Sequence, residues 1–104
     1  MIGRVNGEAL RHFEIDETVI EFAEAGTVVP NDAVLPLQMA ARDLIDANLG
    51  ARILAEGADE EMALERARVV AALLVARGVP GGSLSVETAG PGNRVVVYGQ
   101  PFDG

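Results

Sequence analysis

Apolar and polar residues alternate near the start of the chain, and the alternation changes phase partway. Phe13 and Ile15 alternate in one phase, Ile20 and Phe22 in the other, with Asp16-Glu17 between them. A strand cannot exchange its buried face without a turn or a bulge. The pattern therefore predicts two strands, the second over about residues 18–23. Asn6-Gly7 is a tight-turn dipeptide, so residues 1–17 read as an added edge hairpin.

After Pro30 the period lengthens to that of a helix. Val34, Leu37, Ala41, Leu44 and Ile45 share one face, which predicts a helix capped by Asn31 or Asp32 and closed by Asn48-Leu49-Gly50. Pro36 requires that the regular helix begin close to it. A short strand follows over residues 52–55, and Gly57 turns the chain. Asp59 is a fitting N-cap for a second helix over residues 60–77. Its apolar stripe is Met62, Val69, Val70, Leu73 and Leu74, and Gly78 ends it. Two more strands, over residues 84–88 and 94–98, flank the turn Gly90-Pro91-Gly92-Asn93. The order is β-β-α-β-α-β-β. It predicts an α/β (α+β) two-layer sandwich: one mixed sheet with two helices packed on one face, in one domain of residues 1–104.

Charge narrows the partners. Sixteen acidic residues face eight basic ones, all arginine, for a net charge of −8. Such a field disfavours nucleic acid and anionic membrane, which need phosphate neutralised, so any anion site must be local. The apolar run of residues 69–76 is far short of the ~20 residues that span a bilayer, so no membrane insertion is expected. The first ten residues hold no apolar h-region and carry Glu8, so no secretory signal is read. The expected location is the cytoplasm if the chain is complete, and the periplasm or cell envelope if it is a domain of an exported protein. With no cysteine, neither a disulfide framework nor a thiolate metal site can form.

Catalytic chemistry has little to stand on. His12 is the sole histidine and has no Ser or Cys partner motif. Ser83 and Ser85 lack a G-x-S-x-G context. The glycine pairs at residues 81–82 and 90–92 do not lead into helices, so they read as turns rather than phosphate loops. Glu56, Asp59, Glu60 and Glu61 crowd one loop, but their spacing matches no calcium loop, and they read as a solvated helix start. No enzyme, cofactor or metal is expected.

Several short segments carry a family resemblance when taken in order. These are Val19–Phe22, Ala25-Gly26-Thr27, Val28-Val29-Pro30, and the strand ending in Gly57. Next comes Asp59-Glu60-Glu61-Met62-Ala63-Leu64-Glu65-Arg66-Ala67, then Gly78-Val79-Pro80 with Leu84–Val86. Asn93-Arg94-Val95-Val96-Val97 closes the series. Together they resemble the OmpA-like peptidoglycan-binding family over about residues 18–99, and the chain is similar to a shortened, degenerate member. The family's second helix carries N-x-x-L-S-x-x-R-A, and its ligand is the diaminopimelate residue of the peptidoglycan stem peptide. A loop aspartate meets the ligand's ammonium and the helix arginine clamps its carboxylate. A guanidinium can do this with two parallel hydrogen bonds. Arg66 falls on the clamp arginine. Asp59 falls on the asparagine of the pattern, Met62 on its leucine and Ala63 on its serine, while the loop with the family's aspartate has no counterpart.

The resemblance thus implies a non-catalytic binding module with Arg66, Asp59 and Gly57 as the ligand residues. Read for themselves, Asp59 is a helix cap and Arg66 is either a surface residue pairing with Glu61 or Glu65, or a partly buried one. Two functions follow. One is a cell-wall module gripping the stem peptide. The other is a protein-interaction or assembly module, self-association included, that keeps the scaffold and has lost the ligand.

Overall fold

In a computed structural model of the chain, residues 17–101 are described. Of the hairpin expected over residues 1–17, residues 1–16 lie outside that range, as do the strand at Phe13 and Ile15 and His12, while Glu17 belongs to the first described strand. The described elements are strand β1 (Glu17–Glu21), helix α1 (Asn31–Ala47), β2 (Gly50–Ala55), helix α2 (Glu60–Ala76), a 3-10 turn (Gly81–Ser83), β3 (Leu84–Thr88) and β4 (Arg94–Gln100). The four strands form one mixed sheet in the order β1-β4-β2-β3. β4 is antiparallel to both neighbours, whereas β2 and β3 run parallel through the α2 crossover.

Register decides which residues meet the helices. Ile20, Val95 and Ala55 lie abreast, as do Thr18, Val97 and Ile53. Of these, Ile20, Val95, Ala55, Val97 and Ile53 are buried. The alternate positions Val19, Val96 and Leu54, with Glu17, Tyr98 and Arg52, make the opposite face. There Arg52 pairs with Glu87 at 3.3 Å and lies over the Tyr98 ring, and Arg94 pairs with Glu21 at 3.2 Å. The face against the helices is apolar, whereas the opposite face mixes these ion pairs with Val19, Leu54 and Val96.

Both helices lie where the pattern predicts, but their buried faces are turned. α1 buries Ala33, Leu37, Ala41 and Leu44, while Ile45 stays 44% exposed. α2 buries Ala63, Arg66, Ala67, Val70 and Leu74, with Met62, Val69 and Leu73 only half-buried. Leu37 and Leu44 on α1 and Val70 and Leu74 on α2 fill the contact as the stripes predict, with small alanines between them, while Val34, Ile45, Met62, Val69 and Leu73 flank it. The cap of α1 also differs from expectation. Pro30 occupies the N-cap with no side-chain bond, and Asn31 and Asp32 are already helical. Pro36 is tolerated inside the helix because it and Asp32, whose carbonyl it leaves without an N–H, are both exposed, where water can take the bond. Asn48 closes α1 in the left-handed conformation, as its sequence predicts.

Candidate functional site

The loops β1–α1, β2–α2 and β3–β4 gather at one end of the sheet, and Arg66 lies beneath them. It sits in the second turn of α2, on the same face as Ala63 and Ala67, and is 0% exposed. Its Nε–H donates to the Gly26 carbonyl at 2.7 Å, and Nη2 donates to Ala23 at 3.1 Å. Nη1 donates to Glu56 and to Gly92, each at 3.0 Å. The guanidinium carbon stands 5.2 Å from the Phe22 ring centroid, within cation–π range. Guanidinium has five N–H donors, and four are committed to backbone. Among the described residues Arg66 forms no salt bridge. Its charge is met by four carbonyl dipoles drawn from three loops.

Glu56 and Gly92 complete that arrangement. Glu56 Oε1 accepts from the Arg94 N–H at 3.0 Å, and the Glu56 N–H donates to the Arg94 carbonyl at 2.9 Å. Gly92 has φ +142, and a Cβ there would strike the Glu56 carboxylate. The short β3–β4 turn therefore closes directly over Glu56 and the guanidinium.

Gly57 fixes the neighbouring approach. Its N–H donates to the Gly90 carbonyl at 3.1 Å, and a Cβ on it would lie 2.5 Å from the Ala63 nitrogen. Only glycine lets the β2–α2 loop pass so near the helix. Asp59 acts as the cap that its position predicts, with Oδ1 accepting from the Met62 N–H at 2.8 Å. Gly57, Asp59, Ala63, Gly90 and Pro91 border an open depression of about 380 Å³. Arg66 does not line it.

The structure thus brings Gly57 and Asp59 to one rim and places Arg66 behind it. None of the four carbonyl acceptors of Arg66, those of Ala23, Gly26, Glu56 and Gly92, is legible in the sequence, because a carbonyl leaves no mark there. The available signal was an arginine centred on an alanine-rich helical face. Glu56, Asp59, Glu60 and Glu61 do not converge: among the described residues no three acidic or histidine side chains come together.

No family model and no curated protein sequence matches the chain. Solved structures do. The OmpA-like domain of FopA1 from Francisella tularensis superposes with a TM-score of 0.73 at 12% identity, over 84% of this chain and 73% of that one. The peptidoglycan-associated lipoprotein from Burkholderia pseudomallei gives 0.71 at 17% identity, over 80% and 90%. The C-terminal domain of Helicobacter pylori MotB gives 0.67 at 20% identity, over 86% and 87%. The arrangement of strands and helices around Arg66 is shared with all three.

Proposed function

On this OmpA-like fold, we propose a non-catalytic interaction module that engages another protein and whose inherited stem-peptide site is closed. One observation carries the reading: the Arg66 guanidinium is fully buried and gives four N–H bonds to backbone carbonyls. A carboxylate clamp needs two parallel N–H groups facing an opening. To form one here, at least one loop would have to give up its bonds, leaving buried carbonyls without donors at about 1–3 kcal/mol each. Asp59 is likewise engaged, holding the first turn of α2.

A second reading has its own support. The structural neighbours include a peptidoglycan-associated lipoprotein, and the depression beside Gly57 and Asp59 lies next to Arg66. In that reading the loops open and Arg66, Asp59 and Gly57 hold diaminopimelate. Either reading fits an envelope location if the domain belongs to an exported chain.

Titrating the isotope-labelled chain with a diaminopimelate-containing muropeptide separates the two. The interaction reading expects amide signals of residues 57–66 to stay unchanged to about 1 mM ligand, the weak end of specific binding. A saturable shift there, lost on substitution of Arg66 in a chain that still folds, would establish the wall-binding reading instead.

A further inference from the structure

Six arginines fall in the described region, and their pairing separates them. Arg52, Arg68 and Arg94 each pair with a glutamate. Arg66 is buried. Arg42 and Arg77 form no salt bridge among the described residues, and both line the same shallow groove of about 370 Å³, in which Asp46 is the single acidic lining residue. This is a local excess of positive charge on a chain with twice as many acidic as basic residues.

The groove has an apolar floor. Leu35 is 63% exposed and Met39 58% exposed, with Ile45 alongside. Leu35, Met39 and Arg42 follow one another at spacings of four and three, so they form a single stripe on α1, turned away from the core face of Leu37, Ala41 and Leu44. Exposed apolar residues standing singly need no explanation, but two large ones in register, bordered by two guanidinium groups without an acidic partner among the described residues, do. Carboxylates on either side of an apolar ridge would satisfy both features, and an amphipathic helix presents such a pattern at the matching repeat.

We propose that this face of α1, with Arg77 from the end of α2, receives an acidic amphipathic helix of a partner protein. The inference rests on the interaction-module reading and names its surface. Polyanions and anionic membranes fit less well, because the net charge of −8 repels an extended field of phosphates, while a short helix brings only a few carboxylates. A second copy of the chain offers this face only one carboxylate, that of Asp46, against two arginines, so it complements the groove less well than an acidic helix.

The test uses the full labelled chain and a synthetic helical peptide of about sixteen residues, with leucines at i, i+4, i+7 and i+11 flanked by glutamates. A control peptide carries lysine in place of each glutamate. The expected result is saturable shifts confined to residues 35–46 and 77. Affinity should fall about tenfold or more both for the lysine peptide and for the Arg42→Gln/Arg77→Gln double variant. Both positions are exposed, so the variant keeps its core. The proposal is overturned by no shift at about 1 mM peptide, by shifts elsewhere, or by equal binding of both peptides. Shifts of residues 35–46 that grow with protein concentration alone would overturn it in favour of self-pairing. Muropeptide shifts at residues 57–66 would refute the interaction reading while leaving the peptide result to stand by itself, so the two failures are distinct.

Discussion

The Nε of Arg66 and the carbonyl oxygen of Gly26 lie 2.7 Å apart across forty positions of sequence. That bond, with its three companions, makes one side chain the common anchor of three loops. The consequence for stability is large. Replacing Arg66 with leucine should cost about 3 kcal/mol or more, since it strips the donor from four carbonyls at about 1–3 kcal/mol for each that water does not reach. Arg66→Lys should recover little, because an ammonium cannot reach four carbonyls arranged around a planar fork. Urea denaturation of both variants checks this. A loss under about 0.5 kcal/mol, typical of a surface position, would show that the bonds contribute nothing.

Gly57 and Gly82 offer a paired comparison. A methyl group on Gly57 would press on the Ala63 backbone, whereas one on Gly82 meets nothing within 4 Å. Gly57→Ala should lower stability by about 1–3 kcal/mol through overpacking. Gly82→Ala should be neutral within about 0.5 kcal/mol. Thermal unfolding of the two variants side by side provides the measurement.

Asp59 separates a cap from a ligand group. As a cap, Asp59→Ala should cost about 1 kcal/mol, and Asp59→Asn or Asp59→Ser should restore most of it, since each still offers an oxygen to the Met62 N–H. A role confined to charge would leave asparagine as damaging as alanine.

The sheet's solvent face gives the opposite expectation. Arg52 and Glu87 are about half-exposed and 3.3 Å apart, so Arg52→Ala should change stability by less than about 1 kcal/mol. A double-mutant cycle with Glu87→Ala measures the pair directly. A coupling near zero beside a measurable cost of Arg52→Ala would assign that cost to stacking on Tyr98 rather than to the ion pair.

The helices and the last two strands were legible because their signals are local. Asp59, Asn48 and Gly78 mark helix ends by the conformations and bonds that such residues supply. The rotation of α2 was not legible. Counting large apolar residues favours Val69 and Leu73, yet Ala63 and Ala67 win because close approach to the sheet needs small side chains. β2 begins at Gly50, two residues before the predicted start, since Ala51 is too small to mark a strand by hydrophobicity yet is fully buried. The place of Arg66 on α2 was visible in the motif that the chain resembles. Its bonding was not, because the acceptors are carbonyls on loops that only tertiary structure brings together.

The strand order has a further consequence for synthesis. β4 lies between β1 and β2, and it is the last of the described elements to be made. Glu17 pairs with Tyr98, so β1 has no hydrogen-bonded neighbour among the described strands until nearly the whole stretch has left the ribosome. Until then the nascent chain holds β1 apart from the β2–β3 pair and a helix pair with an unfinished floor, a species open to chaperone capture or to strand exchange between chains. Assembly is therefore gated by the arrival of residues 94–100, and a ribosome stalled shortly before them would display a chain unable to close its sheet.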